Sequence, residues 1–259
     1  MSDAVLYESA DDVGVITLNR ANNRNSMTPE LLDRFVEVVA QVCATPPRCV
    51  IITGLGKCFS AGADFKSVTQ RTGEGRAPHE ASYEMYVPFL SVLEIPVPVI
   101  GALNGHAVGG GFGLSLVCDI RVANREAKIG ANFTRLGISP GLAISYILPR
   151  LIGVARASEL LFTGRLIHGN EAAAIGLVNE AVTSDRVMPR AREIATEIAA
   201  AAPIAVRMTK QVLYENLGWR PRDGARREAF PQSVSLRTAD AAEGIQALLE
   251  KRDPRFTGK

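Results

Sequence analysis

FSAGAD (59–64) and NGHAVGGGFG (104–113) are two glycine-rich segments, and each follows a run of apolar residues. The preceding runs, 48–54 (RCVIITG) and 98–103, have the composition of buried strands. Each run leads into a glycine-rich turn and not into a hairpin signal. A further strand is predicted at 13–19, and helical segments separate the strands. This alternation predicts an α/β fold with largely parallel strand pairing.

The two turns favour binding of an oxygen atom that carries negative charge. Their small residues let a ligand approach the main chain closely. We predict a helix over 114–118, directly after the second turn, so that unpaired N–H groups point out of the helix N-terminus. Such groups stabilise anionic oxygens. Tight packing of a helix on a strand is the alternative explanation for either turn taken alone.

Neither turn matches the common phosphate-binding motifs. A P-loop requires GxxxxGK[ST], and no lysine follows these glycines. The GxG spacing at 109–113 lacks the acidic ribose partner and the βαβ start of a dinucleotide fold. A nucleotide-binding oxidoreductase is therefore disfavoured.

The composition is that of an ordinary globular chain. Of its 259 residues 47% are hydrophobic and 22% charged, and a net charge of +2 gives no general attraction to nucleic acid or to an anionic membrane. The N-terminus lacks a basic segment followed by an apolar stretch, so we expect a cytoplasmic protein. No apolar run approaches the roughly 20 residues of a membrane-spanning helix. The spacing of the four cysteines and three histidines predicts no metal site.

The chain after Gly141 is predicted to be mostly helical, with helices at 184–201, 204–216 and 239–252. In the first half, Thr28 and Pro29 predict the cap and first position of a helix. Residues 66–82 are polar and contain glycine, which predicts a surface loop, and a lid over the site is the sharper hypothesis.

Several segments together carry a family resemblance. FSAGADFK (59–66) and NGHAVGGGFGLSLVCDIRVA (104–123) resemble the paired oxyanion-hole segments of the enoyl-CoA hydratase/isomerase, or crotonase, superfamily. RLGISPGLAISYILPRLIG (135–153) and ELLFTGRLIHGNEAAAIGLVNEAV (159–182) are similar to the segments that follow in that superfamily. Asn19-Arg20 and Arg24-Asn25-Ser26-Met27 resemble its N-terminal contact with acyl-CoA. The resemblance covers essentially the whole chain.

The resemblance implies a spiral of β-β-α repeats. It further implies an acyl-CoA-binding core over 1–200 and a helical C-terminal trimerisation region over 201–259. Homotrimers, or hexamers built from two trimers, are the expected assembly. No separate cofactor is implied, because coenzyme A is part of the substrate.

Site residues follow from the resemblance position by position. Ala63 and Gly110 match the two N–H donors of the oxyanion hole, which polarise a thioester carbonyl. The positions matched to substrate binding are Arg24, Ser26, Ala61, Asp64, Phe65, Lys66, Gly109, Gly113, Phe133 and Gly141. For Lys66, a solvated surface position is the alternative to a phosphate contact.

The chain departs from the family at the acid–base positions. Hydratases of the superfamily use two glutamates, and the matching positions here hold Gly113 and Phe133. An aspartate used by some relatives matches Gly141. None of these side chains exchanges a proton, so standard hydration is doubtful. Phe133 instead predicts a drier pocket suited to an apolar or aromatic acyl chain.

Other polar residues near the motifs are weaker candidates. A replacement base is conceivable among His79, Glu80, Tyr83 and Glu84, for which surface or structural roles are favoured. His106 is expected to pack against the core, and Asp64 and Asp119 to fix loops as hydrogen-bond acceptors. Glu94 is expected at a helix end facing solvent or an interface, and Trp219 in packing.

Two functions remain open at this stage. The first is an acyl-CoA lyase or isomerase with a non-standard acid/base or with substrate-assisted proton transfer. The second is a protein that binds acyl-CoA without transforming it, and the missing glutamates motivate that alternative.

Overall fold

The structure is a computed structural model that describes residues 3–64 and 77–258. The strands are β1 (Val5–Ala10), β2 (Val13–Leu18), β3 (Cys49–Gly54), β4 (Cys58–Ser60), β5 (Val99–Leu103), β6 (His106–Val108), β7 (Ile120–Asn124), β8 (Lys128–Gly130), β9 (Ile167–His168) and β10 (Glu180–Val182). The helices are α1 (Pro29–Ala44), α2 (Pro78–Glu84), α3 (Val87–Leu90), α4 (Gly110–Leu116), α5 (Ile144–Ile152), α6 (Val154–Thr163), α7 (Gly169–Ala174), α8 (Val187–Ala200), α9 (Pro203–Asn216), α10 (Pro221–Ser235) and α11 (Ala239–Glu250).

Within the described residues the strands form two sheets. The larger has the order β1-β2-β3-β5-β7-β10 and the smaller the order β4-β6-β8-β9. Successive strand pairs place their first member in the larger sheet and their second in the smaller, as in β3–β4, β5–β6 and β7–β8. Pairing is parallel except at β1–β2 and β8–β9. The predicted α/β class with parallel pairing is confirmed.

The larger sheet is covered on both faces, which explains the unbroken apolar run of β3. Val50 and Ile52 belong to the core cluster that includes helix α1, whereas Ile51 packs with Val187 and Ala191 in the cluster of α8. Strands buried on both faces need no polar alternation. The strands predicted at 13–19, 48–54 and 98–103 are confirmed within one residue at each end.

Helix α1 begins as the sequence predicts. The Thr28 hydroxyl accepts a hydrogen bond from the Leu31 amide at 3.3 Å, and Pro29 occupies the first helical position. Proline is suited to this position because an amide there has no helical acceptor. The cap and the helix start are therefore confirmed.

Two C-terminal helices pack onto the centre of the chain. Helix α10 lies against α2 and α5, and α11 lies against the 3₁₀ turn Phe133–Leu136. The contact with α11 is made by main chain, since a Cβ at Gly244 would lie 2.5 Å from the Leu136 carbonyl carbon. Helix α10 was not predicted, because it is strongly polar and carries Gly224 and Pro231 inside it.

Two sequence predictions need correction. The predicted helix at 184–201 begins as a 3₁₀ turn, and α8 itself starts at Val187. The predicted loop at 66–82 is wrong for its last part, because α2 begins at Pro78. The remainder of that loop, including the lid hypothesis, lies largely outside the described residues.

Among residues 3–64 and 77–258, no helix combines the length and the apolar composition that a bilayer crossing requires. The same ranges contain no cluster of three or more His, Cys, Asp or Glu side chains that could hold a metal ion.

Candidate functional site

The two glycine-rich turns lie side by side because their strands are neighbours. Strands β4 and β6 pair in parallel, with Cys58 opposite His106 and Ser60 opposite Ala107. Because β4 and β6 run in the same direction, the turns that follow them lie at the same end of the small sheet. At Gly62 (φ 78°) a Cβ would lie 2.6 Å from the Gly110 nitrogen and 2.7 Å from the Val108 oxygen. Only glycine allows the two main chains to approach this closely.

The second turn leads into a helix start, where the first amides have no acceptor within the helix. Helix α4 begins at Gly110, four residues earlier than the predicted 114–118. Gly109 precedes it with φ 57° and ψ −121°, a conformation open to glycine. The Gly113 amide donates to the Gly109 oxygen at 3.0 Å. The amides of Gly110, Gly111 and Phe112 come before this first helical bond, so they have no acceptor within the helix.

The first turn is held by the segment after β2. Ala63 forms a parallel bridge with Met27, whose amide donates to the Gly62 oxygen at 2.8 Å. In such a bridge the residues flanking Ala63 make the bonds, so its own N–H points away from Met27. The buried Asn25 adds a side-chain bond to the Cys58 oxygen at 2.8 Å.

Met27 also touches the second turn. A Cβ at Gly110 would meet the Met27 sulfur, and one at Gly111 would meet the Ser60 carbonyl oxygen. No role was predicted for Asn25 or Met27 from the sequence. The only available signal was their position in the segment that resembles an acyl-CoA contact.

The positions of the missing carboxylates are filled by apolar side chains. A Cβ at Gly113 would lie 3.0 Å from both Cβ and Cδ2 of Leu142, which is fully buried. Phe133 is 8% exposed, and its ring carbon Cζ would lie 3.8 Å from a Cβ at Gly109. Phe133 stands in the 3₁₀ turn after β8.

Gly141 is crowded as well. A Cβ there would meet the ring of Tyr86 and lie 2.8 Å from Gln232 Nε2. Leu142 and the following Ala143 both have left-handed conformations, with φ of 61° and 59°. Such conformations are strained for residues other than glycine. We call Phe133, Gly141, Leu142 and Tyr86 the apolar wall; Leu142 and Tyr86 were missed by sequence reasoning.

The structure brings several predicted contact residues to the same place. Ala61 donates its amide to the Arg24 oxygen at 3.0 Å, which joins the N-terminal segment to the first turn. Arg24 is exposed, and the Ser26 hydroxyl donates to the Asn23 oxygen at 2.6 Å. Asp64 is half-buried beside Ala63. Phe65 and Lys66 lie outside the described residues.

The candidate replacement bases have structural contacts. Glu80 accepts from the Ala77 amide at 3.2 Å, and the His79 ring lies 6.3 Å from that of Phe230. The Arg226 guanidinium lies 5.3 Å from the centre of the Tyr83 ring. Glu84 is exposed. These contacts support the structural roles favoured from the sequence.

His106 is exposed, so the prediction that it packs against the core is wrong. Its Nδ1 accepts from the Lys128 amide at 2.9 Å. Partial burial lowers the pKa of His106, and the nearby Lys128, His168 and Arg24 lower it further. A neutral imidazole results, because Nδ1 must stay unprotonated to accept this bond.

Asp119 accepts bonds as predicted and joins the C-terminal region to the sheet. It receives the Val99 amide at 2.7 Å, Lys210 Nζ at 2.8 Å and the Tyr214 hydroxyl at 2.5 Å. Trp219 packs against Tyr214, with ring centres 5.3 Å apart, so its predicted packing role is confirmed.

Glu94 ends a 3₁₀ turn with its side chain 62% exposed, in agreement with the predicted solvent-facing position. It pairs with Arg222 of α10 at 2.6 Å.

Comparison with known proteins identifies the family. The model of the enoyl-CoA hydratase/isomerase family matches residues 8–259. The chain belongs to the enoyl-CoA hydratase/isomerase family. The mitochondrial enoyl-CoA hydratase domain-containing protein 2 of Homo sapiens is 36% identical over 255 residues, which cover 94% of this chain and 85% of that protein.

Solved structures agree with this family. The enoyl-CoA hydratase from Bacillus anthracis is 38% identical with a TM-score of 0.77, covering 99% of this chain and 100% of that one. The enoyl-CoA hydratase/isomerase from Pseudoalteromonas atlantica T6c is 27% identical with a TM-score of 0.87, covering 98% and 100%. The predicted crotonase-like fold of this enoyl-CoA hydratase/isomerase family member is confirmed.

Proposed function

We propose that this protein binds an acyl-CoA thioester and stabilises its enolate with the amides of Ala63 and Gly110. The close approach of Gly62 to Gly110 carries the proposal, because it sets the two amides on adjacent main chains. Coenzyme A is part of the substrate, and the proposal requires no separate cofactor. Lyase or isomerase chemistry on the thioester is the corresponding enzyme class.

The chemistry follows from where charge develops. When a proton leaves the α-carbon of a thioester, or a nucleophile adds beyond it, negative charge moves onto the carbonyl oxygen. Two preorganised N–H groups bind that charge more strongly than they bind the neutral ground state. One such donor contributes about 2.7–4 kcal/mol in comparable oxyanion holes.

Remaining contacts are assigned by position. Arg24, Ser26, Ala61 and Asp64 border the first turn and would contact the coenzyme A portion, together with Phe65 and Lys66. Gly109 and Gly113 border the acyl portion, and Phe133 and Gly141 face it from the apolar wall. Such a wall suits an apolar or aromatic acyl group.

Standard hydration is not the proposed reaction. Water activation needs a proton-exchanging side chain close to the acyl group. Leu142 and Phe133 occupy the space that two glutamates would need. A proton in this site must come from another residue or from the substrate.

A non-catalytic acyl-CoA-binding protein is the second candidate. The observation that favours it is the filled space beside Gly113 and Gly141, which leaves no carboxylate at either position. Both candidates share the thioester site and differ in turnover.

A panel of enoyl-, dienoyl-, β-keto- and aryl-CoA thioesters, followed by mass spectrometry, separates the two candidates. A product from any of them supports the enzyme. Micromolar binding by calorimetry with no product from the whole panel supports the binding protein. Absence of both binding and turnover would contradict the proposed function itself.

The amide of Gly110 is tested by a matched pair in a Met27→Ala background, which makes room for a side chain. Gly110→Ala retains the N–H and Gly110→Pro removes it, while proline still suits the first position of α4. We expect turnover or enolate-analogue binding to fall about 10²–10³-fold between the two. Equal values would argue against an oxyanion role for this amide.

We also propose that copies of the chain associate as trimers, with hexamers as the higher assembly. Helix α9 has no buried residue and exposes Ile204, Met208 and Val212, which lie four residues apart on one face. A cavity of about 720 Å³ lies between α9 and Leu93, Glu94 and Pro96. Light scattering after size-exclusion chromatography measures the assembly, and a monomer would contradict it. A cytoplasmic location stays a prediction from the N-terminal sequence.

A further inference from the structure

A buried polar cluster lies between α10 and the apolar wall. Glu228 and Gln232 are four residues apart on α10 and therefore share one helix face. Glu228 is 5% exposed, Gln232 1% and Tyr86 3%. Gln232 Nε2 donates to the Tyr86 hydroxyl at 2.8 Å and to the Ser139 carbonyl at 3.1 Å. The cluster thus joins the C-terminal region to a residue of the wall.

One oxygen of Glu228 fastens the start of α5. Its Oε1 accepts from the Ser145 amide at 2.6 Å and from the Ser145 hydroxyl at 2.5 Å. The amides of Ala143 and Ile144 lie near the carboxyl group and favour its charged form. These amides follow directly after Leu142. Glu228 therefore holds the strained turn that sets Leu142 beside Gly113.

The other oxygen of Glu228 has no partner. Within the ranges that the structure describes, Glu228 Oε2 and Gln232 Oε1 are buried and lack hydrogen bonds. In the assigned orientation of the Gln232 amide, Nε2 donates to both the Tyr86 hydroxyl and the Ser139 carbonyl, which leaves Oε1 without a donor. Each unsatisfied buried group costs about 1–3 kcal/mol. A single proton on Oε2 would convert one acceptor into a donor and could satisfy both atoms.

We infer that Glu228 is a neutral carboxylic acid whose Oε2 hydroxyl donates to Gln232 Oε1 and so completes a hydrogen-bonded chain from the start of α5 to Tyr86. In this chain Glu228 is a positioning residue: it acts on the apolar wall through Leu142 and Gln232. Its effect on acyl binding rests on the proposed function, whereas its protonation does not.

The charges around Glu228 agree with the neutral form. Burial raises its pKa above the ordinary 4.5, and the bonds from Ser145, Ala143 and Ile144 oppose that rise. The two bonds from Ser145 end on Oε1, and the carbonyl oxygen of a neutral acid can still accept them. Burial, and to a lesser degree the charge on Glu228, also raise the pKa of Tyr86.

Several titratable groups lie on the elements that pack around Glu228. In the described part of the chain, α2 carries His79, Glu80, Tyr83 and Glu84, and α5 carries Tyr146 and Arg150. On α10 itself the neighbours are Asp223, Arg222, Arg226 and Arg227. Arg150 lies 3.6 Å from the centre of the Tyr146 ring, Arg226 lies over Tyr83, and Arg222 pairs with Glu94. Arg150, Arg226 and Arg222 therefore contact groups other than Glu228.

Infrared spectroscopy of the full-length protein tests the protonation directly. At pH 7 we expect the C=O stretch of a protonated carboxylic acid, absent from Glu228→Gln. Loss of this band as pH rises should be confined to the protein that retains Glu228. If the spectra of the two proteins show no such difference, the inference is overturned and a bridging water is the better explanation for the two oxygens.

Stability against pH gives a second readout. A raised native pKa means that the native state holds the proton more tightly, so stability falls as pH rises from about 4.5 towards the native value. Glu228→Gln mimics the neutral acid and should remove this fall while unfolding at the same denaturant concentration at pH 5. A Gln variant that is destabilised equally at every pH would contradict the neutral form.

The positioning role is tested with butanoyl-CoA and octanoyl-CoA as calorimetric probes. We expect Glu228→Gln to bind them within about twofold of the parent and Glu228→Leu, if folded, to bind at least tenfold more weakly. Equal binding by the Leu variant would overturn the positioning role. If the parent protein binds neither probe, the proposed function fails, while the infrared result still decides the protonation of Glu228.

Discussion

The two sides of the candidate site are built from different atoms. Around Gly62 and Gly110 the site consists of peptide groups. The two main chains approach so closely there that a Cβ added at Gly62 would lie 2.6 Å from the Gly110 nitrogen. Around Gly113 and Gly141 it consists of the apolar wall. The first side needs a main-chain path, whereas the second needs particular side chains. Side chains of the wall can therefore change while the main-chain side stays intact.

The largest expected effect comes from rebuilding the wall. Gly113→Glu and Phe133→Glu alone should fail, because a Cβ at 113 lies 3.0 Å from Leu142. Adding Leu142→Gly opens that space and suits the left-handed turn. We expect the triple variant to hydrate crotonyl-CoA, with a gain of about 10²–10⁴-fold over Leu142→Gly, since general acid–base catalysis contributes that much.

The comparison between the double and triple variants makes this test specific. Hydration measured by loss of enoyl absorbance should appear in the triple variant only. If a correctly folded triple variant binds crotonyl-CoA without hydrating it, the wall would not be what separates this protein from hydratases.

The second prediction concerns the main-chain side of the site. Gly62→Ala places a Cβ against the Gly110 nitrogen and the Val108 oxygen, whereas at Gly176, which has the same φ of 78°, nothing lies within 4 Å. Overpacking typically costs 1–3 kcal/mol, so Gly62→Ala should lose about 3 kcal/mol more than Gly176→Ala in urea unfolding. Acyl-CoA binding should also be lost in Gly62→Ala and kept in Gly176→Ala. Similar values at both positions would show that φ strain dominates and the close approach does not.

A third, smaller effect is expected at Asn25, which supports the first turn. Its side chain donates to the oxygens of Cys58 and Phe59 and accepts from the Arg20 amide. Asn25→Ala leaves buried main-chain groups unpaired, at a cost of about 2 kcal/mol. The exposed Asn22→Ala should stay within about 0.5 kcal/mol of the parent in chemical denaturation. An Asn25 variant as stable as the Asn22 variant would show that other contacts hold the turn.

The smallest effect is expected at Glu243 in α11, the helix that packs against the 3₁₀ turn containing Phe133. The Arg252 side chain and the Arg255 amide lower the pKa of Glu243 to about 2. The native state therefore binds a proton here more weakly than the unfolded chain. This contribution to the free energy of unfolding is present above about pH 4.5 and is lost as the pH falls towards 2. Glu243→Gln should be slightly less stable than the parent at pH 6 and equal to it near pH 2, measured by denaturant titration. A difference that persists at low pH would point to packing instead.

Sequence reasoning was most successful where structure depends on local pattern. The strands before both turns and the cap at Thr28 were predicted, because periodicity and capping are local signals. Leu142 and Tyr86 were missed, since their importance arises from contacts with distant glycines. Helix α10 was also missed: its stability comes from packing on α2 and α5, which its polar sequence does not reveal. The assignments of Ala63 and Gly110 stay predictions, and the matched Gly110 variants test the second of them.

The position of Glu228 and Gln232 near the end of the chain has a consequence for biosynthesis. The ribosome makes residues 59–113 well before α10. During synthesis the two glycine turns are therefore present while the wall still lacks its support. Any hydrophobic surface left open at Leu142 and Tyr86 is covered only when the last helices leave the ribosome.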